Sequence, residues 1–142
     1  MTLYLYHNTA KLSKITGWKY IEDESADADN ISLKKVPENT LVYEISGPMF
    51  FGAADKILDI TLKDFTKCLV LRMRGVPAID ATAMNSLETL RQKCAKRGVE
   101  LVLSHVNPQP LEAMKKAGFY DAVGADHFCP HIDDALSVAS KF

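Results

Sequence analysis

Residues 68–87 read CLVLRMRGVPAIDATAMNSL, and two different periodicities meet inside that run. Cys68 to Met73 is a concentrated apolar stretch, a strand candidate, and Gly75 with Pro77 marks its exit. From Asp80 onward the pattern changes. Met84, Leu87, Leu90 and Cys94 recur every three or four residues, while Glu88, Arg91, Lys93 and Lys96 supply a wet side. The spacing predicts a helix over Asp80 to Arg97, with Gly98 as its left-handed stop. A strand that gives way to a long helix before the next strand requires a parallel crossover, and that decides for an α/β layer.

The same reading extends in both directions. Leu41 to Ile45 is an apolar strand candidate closed by Gly47-Pro48, a pair that a strand interior does not tolerate. Ile31, Leu33 and Val36 form an edge-strand candidate ahead of Pro37, and so short a link to the next strand favours antiparallel pairing. Phe50 to Leu62 carries Ala54, Ile57, Leu58 and Thr61 at helical spacing, and Phe51 reads as core. Downstream, Val99 to Leu103 is a buried strand. Pro108 or Pro110 opens a short helix through Leu111, Met114 and Ala117, which Gly118 ends. Val123 is placed in a small final strand, and Asp133 and Asp134 favour the first turn of a last helix. The predicted architecture is a mixed, mostly parallel central sheet with an antiparallel edge and helices mainly on one face.

Length and charge bound the function. A chain of 142 residues is one domain with a short extension. With 17 Lys plus Arg against 18 Asp plus Glu, and no basic stripe, the chain does not read as a nucleic-acid binder. Residues 1–29 differ from the rest: Lys11, Lys14 and Lys19 are followed by Glu22, Asp23, Glu24, Asp27 and Asp29. We read them as a basic-then-acidic extension or linker, with the compact domain over residues 30–142. Cys68, Cys94 and Cys129 fit neither a disulfide framework nor a CxxC pair, which points to a reducing compartment. No run approaches the roughly 18 apolar residues of a membrane span.

Catalytic chemistry is hard to assemble from these residues. The glycines form no phosphate cradle, so no nucleotide cofactor is expected. His127, Cys129 and His131 are closely spaced, but Pro130 breaks the helix that would present both histidines on one face, and no metal is expected. Cys94 has Arg91 and Arg97 as helical neighbours, yet it lies on the apolar stripe and reads as an inert core thiol. The chain therefore reads as a non-enzyme. What remains is the junction between strand and helix. Asp80 or Thr82 can cap the helix, and small residues Ala81 and Ala83 leave its tip open. Thr82 and Asn85 lie off the buried stripe, and Arg74 sits beside the same strand end. Arg74, Asp80, Ala81, Thr82 and Asn85 are the predicted protein-interaction residues; a capped helix with no further task is the plain alternative.

Pro77, Ile79-Asp80, the small residues after them, Met84 and Leu87 resemble the central signature of STAS domains. That module is shared by sulfate transporters and anti-sigma-factor antagonists. Leu41 to Ala54, reading LVYEISGPMFFGAA, is similar to the opening of the STAS domain in bacterial SulP (SLC26-type) anion transporters. Ala117-Gly118-Phe119 resembles the family's way of ending the third helix just before its last short strand. The resemblance spans Ile31 to the end. It implies the SpoIIAA-like fold and a regulatory role through binding. In phosphorylatable antagonists the residue after the Asp is the serine that a kinase modifies, and Ala81 stands there, with Thr82 as the neighbouring hydroxyl.

The resemblance therefore implies a non-catalytic, cytoplasmic regulatory domain of a bacterial sulfate or anion transporter, at the inner membrane. Its expected partners are the transporter's transmembrane domain, a second STAS protomer or a cytosolic protein. Lys11, Lys14 and Lys19 suit contact with anionic lipid. A stand-alone antagonist that binds an anti-sigma kinase is the alternative.

Overall fold

The computed structural model describes residues 2–7, 12–13, 37, 39–47, 49 and 66–142. The edge strand expected over residues 31–36, the helix expected over 50–62, Phe51, the three N-terminal lysines and the acidic run lie outside the described residues.

The centre of the sheet follows the apolar runs. β3 (Thr40–Ser46), β4 (Cys68–Gly75) and β5 (Glu100–Ser104) lie side by side in parallel, with Leu41 opposite Leu69 and Leu69 opposite Leu101. β6 (Phe128–Cys129) joins β5 in parallel through Leu103 and Ser104. On the other side, β1 (Thr2–His7) pairs antiparallel with β3 and carries β2 (Leu12–Ser13) at its outer edge. Strand backbone thus occurs inside the segment read as an extension. The order across the described sheet is β2-β1-β3-β4-β5-β6.

Successive residues of a strand point to opposite faces, and here both faces are covered. Leu41, Tyr43, Ile45, Leu69, Leu71, Leu101 and Leu103 face α1 (Ala81–Lys96), whose Met84, Leu87, Leu90 and Cys94 form the predicted stripe. Leu87 and Leu90 are almost completely buried, which contributes roughly 1.5–3 kcal/mol for each such side chain. α2 (Pro108–Lys116) and α3 (Phe119–Val123) add Met114 and Phe119 to that core. Val42, Val70 and Val102 face the other way, against Ile132, Ala135, Leu136 and Ala139 of α4 (Ile132–Ala139). Three of the four described helices share one face, and α4 alone takes the other.

The end of the chain departs from expectation in one respect. Val123 belongs to α3, and the final strand comes later, at Phe128 and Cys129. Gly118 is the cause. Its φ of 79° suits glycine and lets the chain reverse out of α2 directly into a second short helix. The motif Ala117-Gly118-Phe119 therefore ends one helix and begins another. Phe119 turns into the core and meets Phe128 edge-on, with ring centroids 6.5 Å apart.

Candidate functional site at the β4–α1 junction

At the end of β4 the backbone does not simply loop out. Gly75 lies against the end of β3: a Cβ there would stand 3.2 Å from Ser46 Oγ, tighter than an ordinary contact. The Gly47 N–H donates to the Gly75 carbonyl at 2.8 Å. Beyond Pro77 a short stretch of strand geometry resumes. The Met49 N–H donates to the Ala78 carbonyl at 3.0 Å, and the Asp80 N–H donates to the Met49 carbonyl at 3.1 Å. Met49 and Ile79 thus form an isolated parallel bridge.

Asp80 then starts the helix. It is extended (φ −105°, ψ −179°), and its Oδ1 accepts the Ala83 N–H at 2.9 Å. Asp80, not Thr82, is therefore the capping side chain, satisfying one of the free donors of the first turn. Ala81 and Asn85 are exposed and stand one turn apart, so they share a strip of helix surface. With Asp80 they line a groove of ≈ 430 Å³ whose other wall is Gln109, Ala113 and Lys116 of α2. Thr82 is half-buried and lies outside that groove, its carbonyl accepting the Ser86 hydroxyl at 3.3 Å. The structure brings Asp80, Ala81 and Asn85 together and sets Thr82 to one side.

Arg74 goes elsewhere. The β3–β4 register shifts just after Arg72, the residue opposite Glu44, and Arg74 turns back to the same Glu44. Its Nε and Nη2 donate to the two carboxylate oxygens of Glu44 at 3.1 and 3.3 Å. Arg74, one of the predicted interaction residues, is therefore engaged with a carboxylate of its own chain.

Two residues of the site were not foreseen. Asn107 occupies the N-cap position of α2 without capping it; its Nδ2 donates instead to the carbonyls of Val76 at 2.8 Å and Arg74 at 3.2 Å. Gln109 accepts the Ile79 N–H at 2.9 Å and donates to the Ile79 carbonyl at 3.1 Å. An Asn before Pro108 reads as a helix cap in any sequence, and nothing in the pattern shows that it faces another loop.

The remaining candidates have structural employment. His127 Nδ1 lies 2.9 Å from the Leu101 carbonyl, and His131 Nδ1 accepts the Asp133 N–H at the start of α4. Cys129 between them is buried in β6. Among the described residues no group of three or more His, Cys, Asp or Glu is placed to hold a metal ion. Burial pushes the Cys94 thiol up to about 11 and the Cys68 thiol up to about 12, so both are held protonated, the less nucleophilic form.

The STAS family model matches residues 31–135, which include the β4–α1 junction and both walls of the groove. The chain belongs to the STAS domain family. A sulfate transporter family protein from Wolinella succinogenes has a similar crystal structure, with a TM-score of 0.75 and 42% identity over 81% of this chain and 96% of that one. The STAS domain of a SulP transporter from Vibrio cholerae is also similar, with a TM-score of 0.63 and 31% identity over 75% of this chain and 85% of that one. A Bacillus subtilis protein that bears a sulfate-transporter name is 28% identical over 104 residues, or 71% of this chain. The chain spans about a fifth of the length of the curated relatives it matches. This STAS domain is accordingly of the SulP/SLC26 sulfate-transporter kind. No described helix is long and apolar enough to cross a membrane.

Proposed function

We propose that this STAS domain is a non-catalytic regulatory module of a bacterial sulfate or anion transporter. It acts on the cytoplasmic side of the inner membrane, and transport is carried by a separate transmembrane domain. The α1 tip is the contact surface. One observation carries the reading: Ala81 and Asn85 stand exposed beside Asp80, which caps the helix, and open onto a groove, a surface suited to recognition. Ala81 in the position of the antagonists' phosphorylated serine disfavours the kinase-binding alternative. The partner is the transmembrane domain, a second STAS protomer or a cytosolic protein. The working unit is residues 30–142 together with β1, which pairs with β3, and Lys11, Lys14 and Lys19 supply charge for anionic lipid headgroups.

The test is sulfate uptake by cells expressing the full-length transporter with Ala81→Arg or Asn85→Arg, with membrane expression measured alongside. Both positions are exposed, so folding should survive, and uptake should fall at equal expression. Unchanged uptake in both variants would remove the α1 tip from regulation.

A further inference from the structure

We infer that Gln109 is the positioning residue of the recognition tip: its side-chain amide takes the place of a neighbouring strand and fixes the start of α1 against α2. This rests on the reading of the tip as a contact surface and adds what holds it in place. In a strand, one residue's N–H and C=O point to one side, while those of the residues flanking it point to the other. Ala78 and Asp80 use their groups on Met49, on the β3 side. Ile79, almost fully buried, must satisfy its own N–H and C=O on the β5 side, past the last residue of that strand. Gln109 supplies both bonds, at 2.9 and 3.1 Å.

The neighbouring Asn107 extends the same device. It holds the carbonyls of Arg74 and Val76, so the entrance to α2 engages four backbone groups of the β4–α1 junction. The two walls of the groove are therefore not independent. Gln109 stands on α2, yet it is bonded to the residue directly before the Asp80 cap. An exposed side chain with this bonding has little to add to the core, and its main effect falls on the relative placement of Asp80, Ala81 and Asn85.

The test uses the 142-residue chain and two variants. Gln109→Met keeps the length of the side chain and removes both hydrogen bonds. Gln109→Glu keeps an acceptor for the Ile79 N–H and removes the donor. In Gln109→Met, amide hydrogen exchange at Ile79 should accelerate roughly fivefold or more, the equivalent of one net hydrogen bond. The Ala81 and Asn85 amide resonances should move with it, while amides in β4 and β5 keep their protection. Gln109→Glu should restore most of the Ile79 protection. Unchanged Ile79 exchange in Gln109→Met overturns the inference, and so does an equal acceleration across the whole sheet. If Gln109→Met does not fold, an Ile79 amide as exposed to exchange in Gln109→Glu as in an unstructured peptide overturns it too. Exchange is read without a partner, so it separates the two readings. Altered Ile79 exchange with normal sulfate uptake keeps Gln109 as the positioning residue and removes the regulatory role of the tip. Reduced uptake with unchanged exchange does the reverse.

Discussion

Glu44 of β3 stands directly opposite Arg72 of β4, with Oε1 and Nη1 3.6 Å apart, on the sheet face whose Val42, Val70 and Val102 pack against α4. Arg72 is 2% exposed, among the most deeply buried large side chains described, and Glu44 holds Arg74 as well. A carboxylate shared by two guanidiniums is hard to remove, because the charge left behind stays buried. Glu44→Ala should cost about 3–5 kcal/mol, toward the lower end since Arg72 has further interactions. Arg74→Ala, which removes a partner 25% exposed at its side chain, should cost about 1 kcal/mol or less. Urea unfolding of the two variants checks the order, and equal losses would contradict a central role for Glu44.

Asp80 is a cap first. Replacing it by Ala leaves the Ala83 N–H without its acceptor and should lower stability by about 0.5–2 kcal/mol, whereas Asp80→Asn should lose only a small part of that. Thermal unfolding measures both. Where Asp80 also touches a partner, Asp80→Ala should impair uptake by the full-length transporter further than Asp80→Asn at matched expression. Equal impairment by both would point to a need for the negative charge itself.

The central strands and α1 were legible because their signals are dense. Three apolar runs and one stripe of four residues leave few alternatives, and each lies within a residue or two of its expected limits. The final strand was misplaced at Val123 because its true pair, Phe128 and Cys129, is only two residues long and shows no period. The decision there is made by a single backbone dihedral at Gly118. The position of Asp80, Ala81 and Asn85 at the start of α1 could be read from helical spacing. Arg74 could not be assigned, since which face of β4 it takes depends on register with Glu44. Gln109 and Asn107 act across some 30 residues of sequence, and short-range pattern holds no trace of such contacts.

The buried acids of the core set an alkaline limit on stability. Desolvation raises Cys68 from 9.0 to about 12, Cys94 from 9.0 to about 11 and Tyr43 from 10.0 to about 12. In each case the folded chain binds the proton more tightly than the unfolded chain. Their stabilising contribution is therefore complete below about pH 9 and is lost as pH rises through 9 toward 12. Unfolding free energy measured against pH should show that loss begin near pH 9. Below that point, Cys68 and Cys94 should react slowly with iodoacetamide in the native state and rapidly after unfolding. Fast native alkylation of Cys94 at pH 7 would contradict its assignment to the core.

Under the proposed function, Thr82 is the position that tests whether regulation involves phosphate. Its side chain points roughly 100° around the helix from that of Ala81, and it lies outside the groove that Ala81 and Asn85 line. Asp80 already caps the Ala83 N–H, so Thr82→Ala should leave the helix intact and uptake by the full-length transporter normal. Thr82→Glu places a negative charge in the first turn of α1, where the helix dipole favours it by about 0.3–1 kcal/mol, so this variant should fold as well. Any loss of uptake in Thr82→Glu then reports on the contact surface. The expected outcome is normal uptake for Thr82→Ala and reduced uptake for Thr82→Glu, with membrane expression equal in both. That result describes a surface that tolerates no added negative charge at Thr82 and needs no phosphate to work. Loss of regulation in Thr82→Ala, together with phosphate found on Thr82 in cells, would instead make this hydroxyl the acceptor that Ala81 cannot be.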